Sequence, residues 1–349
     1  MKDYVHVLCP GKAHKMGEHS VVYGEPAIIA AISMYTDVFA RRNKRIKLDL
    51  RNLGVKKTCS VEDAKIFANS LDDSWKECKE KGDFKEITDM IRKDDIGLPK
   101  AWVGKSLDAL DIDSGVDLTI DSRIPRGAGL GSSASIAVAT PKAISEVYEQ
   151  ALTRDRINEI AYELEKYGHG NPSGGDNSTC CYGGLVWFQK NSDPSKKPTI
   201  EQISEIPHKL ENFVLIQTGG KENRSTREMV SKVRGLDSAY REPRIKALGQ
   251  ATYDMRKVLI EEDSAAMTNL MNLAQRNLSE LGVSTEEMDS VSKKVQEIKG
   301  GIKITGAGGP GSCMIGYHPE KRKLVKLLVD LGYKPWEVEL GVDGVRTEL

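Results

Sequence analysis

The run Gly127 to Ser135, GAGLGSSAS, restricts this chain more than any other stretch. Upstream, Val116-Asp117-Leu118-Thr119-Ile120 alternates apolar and polar residues, as a half-buried strand does. Downstream, Ile136 to Tyr148 reads as an apolar helix, in which Pro141 predicts a kink or a later start. A glycine loop between strand and helix lets the backbone approach a ligand closely. The helix N-terminus beyond it offers unpaired N–H groups and the positive end of the dipole, an anion site. Ser132 and Ser133 add hydroxyls that can meet phosphate oxygens or a hydrated Mg2+. No lysine follows as in a Walker A loop, and the glycine spacing is not that of the dinucleotide fingerprint. The segment is expected to bind phosphate in a frame of its own.

Three further segments carry chemistry-bearing residues. Pro10-Gly11-Lys12 with Gly17-Glu18-His19 places a Lys, a Glu and a His near a tight turn. Read alone, it is equally a strand and turn with surface charges. Lys303 to Met314, KITGAGGPGSCM, is a strand, a loop with four glycines and a resumed apolar course. Gly168 to Gly184, GHGNPSGGDNSTCCYGG, sets Asp176 in a glycine-flanked turn. It follows a helix with Ile157, Ile160, Ala161 and Leu164 on one face, Thr153 as N-cap and Glu165 near its end. A carboxylate on such a turn is often only an Asx-turn, and a helix glutamate is normally solvated. Their company argues for more, because phosphoryl transfer needs a cation clamp, a metal ligand and a group that positions the attacking hydroxyl.

Bulk properties set limits. At 349 residues, two domains or one large α/β unit are expected. Lys+Arg and Asp+Glu number 51 each, so no cationic excess exists to coat nucleic acid, although a local cationic pocket stays open. The N-terminus has no hydrophobic run of signal-peptide length, and no apolar stretch reaches the roughly 20 residues of a membrane span. Six cysteines without C-x-x-C spacing read as reduced thiols of a cytoplasmic protein. Val5 to Leu8 reads as a strand ended by Pro10-Gly11; Ala27 to Ile32 and Val38 to Ala40 as strands flanking a polar turn; Ile46 to Leu50 as a half-buried strand. Arg51 to Asp113 reads as a charged, solvated helical insertion, a lid or a dimer surface. Leu185 to Phe188 is a strand, Asn191 to Pro198 a linker, and Phe213 to Gln217 the start of a second region. Ser284-x-x-Glu287 has capping-box spacing.

Taken together, PGK with GEH, then GAGLGSSAS, then KITGAGG resemble in order and separation the three motifs of the GHMP kinases. Within that family GEHSVVYG, GNPSGGDN, RSTREMV (224–230) and MNLAQRNLSELGVS (271–284) resemble mevalonate kinase stretches. The resemblance implies an α+β, two-domain fold. Residues 1–192 would form the ATP-binding domain, ribosomal-protein-S5-like with a left-handed β-α-β crossover; 193–349 would be ferredoxin-like. It implies ATP and Mg2+ as cofactors, a small-molecule substrate in the cleft, no nucleic acid or membrane partner, and leaves homodimerisation open. Gly127, Gly129, Leu130, Gly131, Ser132, Ser133 and Ala134 would wrap the ATP phosphates. Ser133 and Glu165 would hold Mg2+, with Ser132 as substitute for Ser133. Asp176 would face the attacking hydroxyl, kept ionised by Lys12. Glu18, His19, Arg224, Ser225 and Thr226 would hold substrate, and Gly306 to Gly311 would close the cleft, with Gly308 against the substrate.

Two departures stand out. Ala13-His14-Lys15-Met16 replaces the family's apolar strand, and alternation forces His14 or Lys15 inward. Either His14 is a satisfied core residue with Lys15 in water, or one of them meets an extra anionic group on the substrate, with Arg126 and Arg224 serving the same end. The latter would suit mevalonate 3-phosphate, as in the pathway variant of some acid-loving archaea. The other departure is GAGGPGSC in place of an all-glycine loop. The implied reaction is phosphorylation of the 5-hydroxyl of mevalonate or its 3-phosphate. An ATP-dependent decarboxylase of the same fold and a non-catalytic ATP and metabolite sensor are the alternatives.

Overall fold

The structure, a computed structural model, describes residues 4–191, 193, 196–206, 210–220 and 226–348. Its centre is a long antiparallel pair, β1 (Val5–Met16) and β2 (Ala27–Asn43), in register from Val5 with Ala40 to Met16 with Ile28. Two expectations are corrected here. β1 does not stop at Pro10-Gly11; the register shifts between those residues, and the irregularity absorbs the N–H that proline lacks. β2 is unbroken where a polar turn was expected, because Thr36 is buried and its hydroxyl pairs with that of Ser122 at 2.8 Å.

β3 (Ile46–Leu50) and β4 (Val55–Cys59) lead into α1 (Val61–Lys81), α2 (Lys85–Arg92) and α3 (Gly97–Ala109), then β5 (Gly115–Ser122). The 51–113 region includes strand β4, is α-helical as expected only between Val61 and Ala109, and is no solvated insertion. Ala64, Ala68 and Leu71 make an i, i+4, i+7 stripe on α1, and Ala101, Trp102, Val103 and Leu107 line α3; all are buried. Dense flanking charges hide this stripe in the sequence.

α4 (Ser132–Val147) starts directly at Ser132 and runs through Pro141, which corrects the later start. α5 (Arg154–His169) is capped by Thr153, whose hydroxyl accepts the Arg156 N–H at 3.2 Å, as expected. α6 (Gly175–Tyr182), β6 (Leu185–Gln189), β7 (Thr199–Gln202) and β8 (Leu210–Gln217) follow. The described part of 191–198 carries neither helix nor strand. Next come α7 (Thr226–Arg234), α8 (Ser238–Glu261), α9 (Ser264–Glu280) and α10 (Glu286–Glu297). The cap of α10 is Thr285, accepting from the Met288 N–H at 3.3 Å, rather than Ser284. Ser284 instead bonds Asp289, and the Glu287 carboxylate accepts from the Gly219 N–H and the Tyr333 hydroxyl. β9 (Gly301–Thr305), β10 (Cys313–Tyr317), α11 (Lys321–Asp330), β11 (Trp336–Leu340) and β12 (Arg346–Glu348) complete the chain.

One sheet runs β4-β3-β5-β2-β11-β8-β10-β9, with β1 pairing β2 and β12, and β6 pairing β2 and β7. Two large apolar cores flank it. Val5, Val7 and Cys9 of β1 belong to the core with α1, α3, α4 and α5; Ala13 and Met16 belong to the one with α8, α9 and α10. β1 thus passes from one core to the other, and Lys12 lies at the crossing. No helix among the described residues is long and apolar enough to cross a membrane.

Candidate active site

The Lys12 backbone N–H donates to the Leu130 carbonyl at 2.9 Å, tying β1 to the glycine loop. Gly131, the residue before α4, has φ +77°, and a Cβ there would lie 2.6 Å from Lys12 Cγ. Only glycine fits both the left-handed backbone and the lysine beside it. No side chain caps α4, so its first N–H groups are free to face a ligand.

Lys12 Nζ lies 2.9 Å from Asp176 Oδ2 in the first turn of α6. The lysine side chain is only 6% exposed and the aspartate 38%, so the carboxylate faces outward over a buried ammonium. Burial pushes the Asp176 carboxyl up, but the Lys12 charge and its hydrogen bond outweigh this and hold the group below its usual value. Asp176 is therefore ionised.

Ser133 Oγ donates to Glu165 Oε1 at 2.6 Å. Glu165 is 3% exposed; burial raises its carboxyl, opposed by His169 and the Ser133 bond. Two hard oxygen donors beside a helix N-terminus, one a desolvated carboxylate, fit a Mg2+ that keeps waters and phosphate oxygens as its other ligands. Among the described residues no cluster of three or more His, Cys, Asp or Glu could hold a metal by itself.

The third glycine segment is stitched to the first. Thr305 Oγ1 accepts the His14 N–H at 2.9 Å and donates to the His14 carbonyl at 3.1 Å. His19 Nε2 donates to the Ala307 carbonyl at 2.8 Å. The loop after β9 is thereby held over β1. Gly308 is pressed on Val283, whose carbonyl oxygen would lie 2.4 Å from a Cβ, whereas Gly306 faces open space.

Two charged residues have surroundings that the sequence reading did not foresee. Glu18 is buried, with Oε1 paired to Lys303, which also donates to the Ile304 carbonyl at 2.8 Å, and with Oε2 lacking a hydrogen-bond partner. Burial pushes the Glu18 carboxyl up and the Lys303 ammonium down, each opposed by the other's charge. Lys15 does not point to water; it is fully buried, its Nζ lacks a hydrogen-bond partner and lies 4.7 Å from the Phe213 ring centre. The bulge between His14 and Met16 belongs to this stretch. His14 stays near Lys12 and Asp176; burial, then the Lys12 charge, pushes its imidazole down to about 3, so the ring is neutral, with Nδ1 unpartnered. Thr226 opens α7 on the surface, one turn before Met229, which packs near Gly309. Arg126 is exposed beside the loop. Arg224 and Ser225 lie outside the described residues.

Lys303 and Thr305 were missed as binding partners of the first motif. The signal for Lys303 was present: Ile302-Lys303-Ile304 places a lysine in a strand buried on both faces, where an ammonium needs a partner.

Residues 99–184 match the family model described as the GHMP kinases N terminal domain. The mevalonate kinase of Thermococcus sibiricus (strain DSM 12597 / MM 739) is 32% identical, covering 97% of each chain. The crystal structure of the Methanococcus jannaschii mevalonate kinase superposes with a TM-score of 0.79 at 26% identity, over 97% of this chain and 99% of that one. That of the L. major mevalonate kinase in complex with R-mevalonate shares the fold at a TM-score of 0.71 and 23% identity, over 97% and 96%. Full-length identity at this level, with the three glycine-bearing segments converging on one lysine–aspartate pair, makes the chain a member of the GHMP kinase family, on its mevalonate kinase branch.

Proposed function

We propose that the chain transfers the γ-phosphoryl group of ATP to the 5-hydroxyl of mevalonate or of mevalonate 3-phosphate. The observation that carries this reading is the Lys12–Asp176 pair, an outward-facing ionised carboxylate over a buried ammonium, beside the uncapped N-terminus of α4. The α4 N–H groups and the 127–134 loop bind the phosphates. Asp176 orients the substrate hydroxyl and takes its proton as the new P–O bond forms and the bond to ADP breaks. Lys12 keeps Asp176 ionised and offsets the charge that builds on the transferring group. Ser133 and Glu165 would hold Mg2+, which supplies charge neutralisation at the phosphates. Residues 1–192 would carry the nucleotide and 193–349 close on the substrate, and six unpaired cysteines suit a reducing cytoplasm.

The phosphorylated substrate has one observation in its favour: His14, with an unpartnered buried Nδ1, stands near Lys12 and Asp176. Lys15 gives it no support. Mevalonate and mevalonate 3-phosphate should be compared on one enzyme preparation. Asp176→Asn and Lys12→Met should abolish turnover of either while leaving the fold intact; full activity in either variant refutes the mechanism. His14→Leu should raise KM for the 3-phosphate alone, and equal effects on both substrates would leave unphosphorylated mevalonate as the substrate. Carbon dioxide release from a mevalonate diphosphate would point instead to the decarboxylase alternative.

A further inference from the structure

Glu165 is carried on α5, and α1 and α3 grip the backbone around it. The Trp102 indole N–H of α3 donates to the Leu164 carbonyl at 3.0 Å. The Tyr167 hydroxyl donates to Asp72 Oδ1 of α1 at 2.6 Å, and Lys105 Nζ closes on the other Asp72 oxygen. The Trp75 indole N–H of α1 donates to the Gly170 carbonyl, while the Lys166 ammonium lies 4.4 Å from the Trp75 ring centre. Phe84 fills the space against Gly170, where a Cβ would come within 2.6 Å of its ring. The chain is therefore held one residue before Glu165, two after and five after, the last on the segment that leads to Asp176. Trp102 and Tyr167 are 3% and 2% exposed, so these bonds form away from water.

Ser133 Oγ and Glu165 Oε1 are 2.6 Å apart, and a slip of α5 by about 1 Å would part them. We propose that Asp72, Trp75 and Trp102 are positioning residues that hold Glu165 in place for the cation accompanying ATP. This rests on the kinase reading above. It gives the 61–109 segment a part in the chemistry, in place of a lid or a dimer surface.

The test is calorimetric binding of a non-hydrolysable ATP analogue with and without Mg2+. Tyr167→Phe removes one donor and keeps the ring, and Trp75→Phe and Trp102→Phe each remove one donor and keep a smaller aromatic ring. Each should lower the ratio of Kd without Mg2+ to Kd with Mg2+ about tenfold, with affinity for the analogue alone unchanged. Asp72→Asn keeps an acceptor for Tyr167 and should retain most of the ratio. Tyr148→Phe, which removes a hydroxyl bond to the Gly115 carbonyl elsewhere in the same core, should retain all of it. A lowered melting temperature with an unchanged ratio in all the variants that fold would overturn the proposal. The three donors are read separately, so one unfolded variant does not decide the matter. Glu165→Gln separates the two levels. If the Mg2+ effect survives that substitution, the metal assignment falls, and the proposal with it. If Glu165→Gln abolishes the effect while the indole variants keep it, the proposal alone falls.

Discussion

Lys15→Met should make the protein more stable, and more so as the pH falls. The amine is fully buried on the Phe213 ring, with Nζ unpartnered, and only Glu18 and Lys303 exert appreciable charge on it. Burial pushes its pKa well down, Lys303 adds to this, and Glu18 opposes. Methionine has similar length and no polar head, so the packed stem is kept. Removing a buried unpaired donor should yield about 1–3 kcal/mol at any pH. A second gain depends on protons. The unfolded lysine holds its proton up to about pH 10.4, whereas the folded amine stays neutral down to its depressed pKa. Between those limits folding expels a proton, so wild-type stability rises with pH by up to about 1.4 kcal/mol per unit. The methionine variant lacks that slope. Its advantage should therefore grow by up to about 2 kcal/mol on going from about pH 9 to about pH 7.5. Urea unfolding followed by tryptophan fluorescence at the two pH values measures it, and kcat and KM for both candidate substrates should stay within about twofold, since Lys15 faces away from the site. A destabilised variant, or an advantage flat with pH, would show that the amine has a partner and refute the reasoning.

Gly131→Ala should cost about 1–3 kcal/mol of backbone strain and, because its Cβ would sit 2.6 Å from Lys12 Cγ, reduce kcat far more than a loop substitution elsewhere; thermal melts beside steady-state kinetics separate the two effects. Glu18→Leu should destabilise by about 3–5 kcal/mol by leaving Lys303 buried and unpaired, whereas the double change with Lys303→Met should recover most of that loss, as a double-mutant cycle reads directly. Thr305→Val removes both bonds to the His14 backbone and should cost about 1–3 kcal/mol; hydrogen exchange should show the gain in motion concentrated at 306–311, and uniform protection there would refute the clasp.

What could be read from the sequence was what a few neighbouring residues dictate. The strand at 115–122, the turn to a helix after the glycine loop and the Thr153 cap depend on backbone stereochemistry and on periods of two and 3.6; these stand as expected, although the helix starts at Ser132 rather than later. The ordered set of three segments marked the family, and the residue types in them marked the chemistry. Tertiary structure decided everything that turns on a distant partner. Ser133 rather than Ser132 meets the carboxylate because Glu165 arrives from α5. Charge density made 51–113 look solvated, since the buried apolar stripes of α1 and α3 are outnumbered by exposed charges. The end of β1 was misplaced because proline is a strand breaker locally, whereas a register shift against β2 accommodates it. That Glu18 is buried with one oxygen on Lys303, 285 residues away, could not be read from either local segment. A charge tolerates burial only beside its counter-charge. Local sequence thus set which groups could do phosphate chemistry, and the long-range packing of β1 between two cores decided which of them are free to do it.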